Sequence, residues 1–156
     1  GNKIYDLYLR MESDVLERKP KVVVIYVGVN DVWHKLTFGT GTDADKFKKF
    51  YAAIIAKLKK EDIKVILCTP ACVGEKKGGV NPLDVELDIY SQIIRDLARE
   101  KDCLLSDFRK AFVEFNAINN TADDYSNILT TDGVHLNQKG NKLVAEMLLE
   151  RLQLLR

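Results

Sequence analysis

Apolar residues recur along this chain in two alternating registers, one helical and one extended. Ile4, Leu7, Tyr8, Met11 and Val15 are spaced as one face of a helix, with Arg10, Glu12, Glu17 and Arg18 among them. Lys19-Pro20 ends that helix, because a proline disfavours helical backbone in the residue before it. Val22–Val27 is an unbroken, largely β-branched run and predicts a strand buried on both faces. It stops at Gly28. Gly39, Thr40 and Gly41 mark a loop, and Thr42 is placed to cap a helix with the apolar face Phe47, Phe50, Tyr51, Ile54 and Leu58. Its opposite face carries Lys48, Lys49, Lys57, Lys59 and Lys60, the pattern of a solvated surface.

The same alternation continues to the end. Ile63–Leu67 predicts a short strand that stops near Pro70. Gly74–Asn81 is polar, holds three glycines and reads as a mobile loop. Pro82 suits a first helical turn, and Leu83, Leu87, Tyr90, Ile94 and Leu97 supply that helix's apolar face. Cys103–Leu105 is a third short strand, after which Ser106 or Asp107 caps a helix carrying Phe108, Phe112 and Phe115. A long polar connection, Asn116–Thr131, leads to a last helix from about Gln138, with Leu143, Met147 and Leu148 inward. Strands joined by helices pair in parallel and are covered on both faces, so the expected fold is a three-layer αβα arrangement within one domain. In such sheets the ligand crevice lies at the carboxyl ends of the strands, where Gly28–Asp31 falls.

Composition narrows the function without identifying it. A chain of 156 residues buries about two-thirds of its unfolded surface in one core. Its net charge is +1, and no basic stripe with interleaved aromatics points to nucleic acid. No apolar run approaches the roughly 20 residues of a membrane span. The first residues are polar, so any signal peptide is expected upstream of Gly1, and the compartment, cytoplasmic or exported, stays open. Cys68, Cys72 and Cys103 have no metal-ligand spacing, and Cys68 and Cys103 sit in apolar runs as buried free thiols.

The chemistry concentrates in Thr130–Asn137, which reads Thr-Thr-Asp-Gly-Val-His-Leu-Asn. It contains His135, one of two histidines, three residues after Asp132. Imidazole changes charge near neutral pH and is the usual proton carrier in catalysis. A carboxylate on one ring nitrogen fixes the tautomer and stabilises the imidazolium. Taken alone, the stretch reads more readily as a helix start with Asn137 as N-cap. Asn30 offers a neutral amide donor at a strand end, which suits an oxyanion hole, although a bare Asn-Asp is also an ordinary turn. Asp31 orients the Asn30 loop through backbone N–H groups or faces substrate. Trp33 and His34 wall the site or anchor an ordinary loop. Asp31, His34, Asp132 and His135 together make a poor metal signature, and no metal is expected. Glu75, Lys76 and Lys77 border the crevice or belong to a solvated loop.

An apolar strand followed by Gly28-Val29-Asn30-Asp31, with a late Asp132-Gly-Val-His135-Leu-Asn before a final helix, resembles the SGNH hydrolases, the GDSL-type lipases and acylhydrolases. The likeness spans essentially the whole chain in element order. It implies a flavodoxin-like parallel sheet and a serine esterase that needs no cofactor. By this resemblance Asn30 is the oxyanion-hole amide, Asp132 and His135 are the acid and base, and Gly1 is the second-block glycine whose backbone N–H is another oxyanion donor. Trp33, His34 and Asp31 are then the substrate-binding neighbours. The first block, Gly-Asp-Ser, is absent: Ser13, Ser91, Ser106 and Ser126 all lie outside such a turn, and Ser106 is better placed to cap a helix. The chain therefore reads as a domain incomplete at its N-terminus, with the nucleophile and a first strand upstream, beside Val22–Val27. The implied substrate is a small ester, an acylated sugar, a lipid or a thioester. The alternatives are an inactive binding module on the same fold and a metal-dependent phosphoesterase.

Overall fold

The computed structural model describes residues 1–155. Three strands, β1 (Val22–Tyr26), β2 (Lys64–Cys68) and β3 (Leu104–Ser106), form one parallel sheet in the order β1-β2-β3. Tyr26 is in register with Cys68, and Cys68 with Ser106, so all three strands end at one level. The segments that begin at Gly28, Thr69 and Asp107 therefore emerge together at the carboxyl end of the sheet.

Helices α1 (Ile4–Asp14), α2 (Val29–Phe38), α3 (Ala44–Lys60), α4 (Asp84–Glu100), α5 (Phe108–Asn119) and α6 (Gln138–Gln153) surround the strands, with a short 3-10 turn at Leu16–Arg18. The two-residue alternation of the strands divides them into two cores. Val23, Ile25, Val65 and Leu67 pack with Met11 of α1, Tyr51 and Leu58 of α3 and Leu87 and Ile94 of α4. Cys68 points the other way, to Phe108 and Phe112 of α5, with Leu143 and Met147 of α6 packed behind. The result is the three-layer α/β arrangement expected from the alternation of elements. The apolar face of α4 is buried at every position its period predicts, Leu87, Tyr90, Ile94 and Leu97.

Five expectations need correction. Among the described residues β1 stands at the end of the sheet and is not buried on both faces: Val24 is 39% and Tyr26 42% exposed, on the strand beside which an upstream neighbour is expected. On the α5 side of the sheet Phe108 reaches β1, edge-on to Tyr26 at 5.1 Å. Gly28–Asp31 is not a loop but the start of α2; Gly28, at φ +131°, caps it, and Gly39, at φ +65°, ends it. Val29, Val32, Trp33 and Leu36 have helical spacing there, which the Asn-Asp pair obscures in sequence. The cap of α3 is Asp43, one residue beyond Thr42, which is itself buried. Gly74–Asn81 is not a solvated loop throughout, because Glu75 and Asn81 are buried and hydrogen-bonded. Cys103 is only partly buried, whereas Cys72 is fully so. At the head of α5 the choice between caps is settled for Asp107, which accepts from the Lys110 N–H.

Candidate active site

The turn between α5 and α6 is closed by its own backbone. Thr130 and Leu136 form an isolated antiparallel bridge. The Thr131 N–H donates to the His135 carbonyl at 2.8 Å, and the Asn137 N–H to the Leu129 carbonyl at 3.0 Å. Asn137 then caps α6, accepting from the Gly140 N–H at 3.0 Å. Inside this turn one carboxylate does several jobs. Asp132 Oδ1 accepts from the backbone N–H groups of Val134 (2.9 Å) and His135 (2.8 Å), and Oδ2 lies 2.7 Å from His135 Nδ1. The imidazole and these two N–H groups hold the Asp132 carboxyl down at about 2. An ionised carboxylate only accepts, so Nδ1 carries the proton and the neutral ring presents Nε2 as its basic nitrogen. Among the described residues no group bonds Nε2, and the imidazole is largely exposed.

Gly133 makes the turn possible. Its φ is +94°, and a Cβ there would lie 2.5 Å from the Tyr125 ring. Its N–H donates to Thr130 Oγ1 at 2.9 Å and its carbonyl accepts from the Gly74 N–H at 2.8 Å.

His135 opens onto a cleft of about 740 Å³ at the carboxyl end of β1, lined also by Gly1, Asn30, Trp33, His34 and Phe38. The first turn of α2 begins at this cleft, and a helix N-terminus favours negative charge beside it. Asn30 Nδ2 donates to the Asn2 carbonyl at 3.1 Å, which leaves the second N–H of the amide for a ligand. Trp33 sits edge-on to His135 with ring centroids 6.0 Å apart. His34 is edge-on to Phe38 at 4.9 Å; burial, with Lys3 nearby, lowers its pKa.

Five of the seven residues expected at the site, Gly1, Asn30, Trp33, His34 and His135, thus line one cleft; Asp132 stands behind His135 on its Nδ1, and Asp31 is not at the cleft. Its carboxylate is fully buried under the first turn of α1, accepting from the Ile4 N–H at 3.1 and 3.3 Å. Burial raises its pKa. Asp31 is thereby a strut that fixes the Gly1–Asn2 segment against Asn30, and it offers substrate no surface. None of the four serines lines the cleft. Ser106 Oγ is buried without a partner among the described residues. The described residues contain no cluster of three or more His, Cys, Asp or Glu side chains able to hold a metal ion. Sequence reasoning missed Phe38, weighed Glu75 only as a border of the crevice or part of a solvated loop, and gave Thr130 no role of its own. Phe38 follows from the helical period of α2 once that helix is known, but nothing in the local pattern marks the other two.

The GDSL-like lipase/acylhydrolase family matches residues 1–143. An acetylxylan esterase of Geobacillus stearothermophilus is 29% identical over 156 residues, covering 97% of this chain and 68% of that protein. The crystal structure of an acetyl xylan esterase superposes with a TM-score of 0.95 at 57% identity, covering 96% of this chain and 76% of that one. The Geobacillus esterase structure gives a TM-score of 0.83 at 28% identity, covering 96% of this chain and 67% of that one. Catalytic mutants of that esterase have been solved with a serine, an aspartate or a histidine replaced, the aspartate three positions before the histidine. Asp132 and His135 have the same spacing.

Proposed function

We propose that this chain, which belongs to the GDSL-like lipase/acylhydrolase family, carries the acid, the base and the oxyanion donors of a serine esterase that deacylates sugars. The observation that carries the reading is the 2.7 Å contact between Asp132 and His135 on the rim of a cleft that also holds Asn30 and Gly1. The acetylxylan esterases among its relatives support an acetylated sugar over a lipid or a thioester. The aromatic wall of Trp33, His34 and Phe38 suits the apolar face of a sugar ring.

In this reading the nucleophile is a serine of a segment upstream of Gly1. Its strand pairs with the open edge of β1 and covers Val24 and Tyr26. His135 Nε2 takes the serine proton as Oγ bonds to the ester carbonyl carbon, and the carbonyl electron pair moves onto oxygen. Asn30 Nδ2–H and the Gly1 backbone N–H receive that oxyanion; losing one such donor costs about 3 kcal/mol of barrier. The oxyanion then re-forms the carbonyl as the bond to the sugar oxygen breaks, and His135 Nε2–H protonates that oxygen, so the sugar leaves as an alcohol and an acyl-serine remains. Water, deprotonated by the same nitrogen, releases the acid and restores the serine. Asp132 stays ionised throughout and stabilises the imidazolium.

The test is acetate release from p-nitrophenyl acetate and from acetylated xylo-oligosaccharides, with and without a chelator, by protein that includes the upstream segment. Hydrolysis of both that survives chelation is expected. Loss of activity on chelation would transfer the site to a metal-dependent phosphoesterase. No turnover, with retained binding of the oligosaccharide, would make it a binding module.

A further inference from the structure

Behind the Asp132–His135 turn, two consecutive residues that follow β2 grip it at both ends. The Gly74 N–H holds the apex through the Gly133 carbonyl at 2.8 Å. Glu75, only 1% exposed, holds the chain that enters the turn. Its Oε2 accepts from the Ile128 N–H and its Oε1 from the Leu129 N–H, both at 2.8 Å. Asn127, at φ +74°, precedes these two N–H groups, and successive N–H groups after such a bend form a concavity suited to an anion. No cation pairs with Glu75 among the described residues. A carboxylate buried without a counter-ion is costly unless charge-assisted hydrogen bonds replace its water. Here both oxygens are engaged by adjacent backbone donors. A glutamine satisfies only one of them, because its NH₂ would face the other N–H.

The hold passes directly to the site. Leu129, fixed by Glu75, receives the Asn137 N–H on its carbonyl. The next residue, Thr130, is fully buried and receives the Gly133 N–H on Oγ1. Asp132 lies between those two anchor points. We propose that Glu75 is a positioning residue for the Asp132–His135 pair: its carboxylate sets the backbone at 128–129, Thr130 transmits that setting to Gly133, and the pair meets only in the turn so held. This rests on the esterase reading for its catalytic consequence but not for its geometric one.

The test therefore reads both, in protein that includes the upstream segment. Glu75→Gln, Thr130→Val and Thr130→Ser are compared with wild type by the ¹³C titration of the Asp132 carboxyl and by kcat and KM on p-nitrophenyl acetate. In Glu75→Gln, kcat is expected to fall about 10- to 100-fold with KM within about threefold, as for a misplacement of the order of 1 Å. The Asp132 titration is expected to rise from about 2 toward the ordinary carboxylate value near 3.9. Thr130→Val should move both quantities the same way, and Thr130→Ser, which keeps the hydroxyl, should restore them. A folded Glu75→Gln protein with an unmoved Asp132 titration overturns the proposal, whatever its activity. If Glu75→Gln does not fold, the threonine pair decides, and an unmoved titration in Thr130→Val overturns it. If the wild type hydrolyses no ester, the esterase reading fails while the titration still tests the positioning role.

Discussion

Replacing Gly133 by alanine probes the Asp132–His135 turn at its tightest point. Two separate costs arise. At φ +94° an L-residue loses roughly 1–2 kcal/mol through the clash of Cβ with its own backbone. The new Cβ would also stand 2.5 Å from Tyr125 Cε1, too close for any real contact. Tyr125 is 41% exposed, so its ring can swing outward, which confines this second cost to about 1 kcal/mol at the low end of overpacking penalties. The sum, about 2–3 kcal/mol, corresponds to a fall in melting temperature of roughly 4–12 °C for a protein of this size. Turnover should fall further than stability explains, because the Gly133 N–H and carbonyl are both anchors of the Asp132–His135 geometry. Calorimetry of Gly133→Ala, Tyr125→Ala and the double variant separates the two costs. The double variant should recover only the steric part. A single variant that melts within about 2 °C of wild type with full turnover would refute the reasoning. Complete recovery in the double variant would show that the backbone conformation costs nothing.

Three further outcomes are expected. His135→Ala should lower ester turnover by about 10³-fold or more, and His34→Ala by less than about tenfold, since only His135 has a carboxylate on its ring; comparable losses in kcat would dissolve that distinction. Arg109→Leu should destabilise by about 3–5 kcal/mol in urea, because it leaves the buried Asp84 carboxylate without its partner at 2.8 Å. Asp88→Asn, at a carboxylate 59% exposed, should cost less than about 1 kcal/mol; equal effects would contradict this ranking. The depressed Asp132 value means that the ionised carboxylate contributes stability above its unfolded value near 3.9, and that this contribution fades as pH falls through about 2. The pair is mostly exposed, so the effect is small. Urea midpoints of wild type and Asp132→Asn should differ at pH 5 and converge by pH 2, and a gap that widens toward acid would reverse the assignment.

The Asp132–His135 pair was readable because its geometry is local. Asp132 and His135 are three residues apart, and one turn with a glycine at its apex brings carboxylate and imidazole together. Asn30 was readable because it directly follows an apolar strand, and a strand end in a parallel sheet is a predictable place. The buried faces of α3 and α4 followed from period alone, since burial on one side of a helix repeats every three to four residues. Tertiary structure decided what depends on distant partners. The sequence left Asp31 between bonding backbone N–H groups and facing substrate, and the α1 N-terminus that lies over it decides for a buried strut. Glu75, in a glycine-rich polar stretch, looked solvated. Its two partners lie 53 and 54 positions away along the chain, and no local pattern encodes a pair of backbone N–H groups brought from that far. The exposure of Val24 and Tyr26 likewise reflects which neighbours a strand has and not its own composition, because an edge strand and a central strand can be built from the same apolar run. Periodicity and short-range spacing are properties of the chain itself, whereas coverage and long-range hydrogen bonding are properties of what the chain meets when it closes.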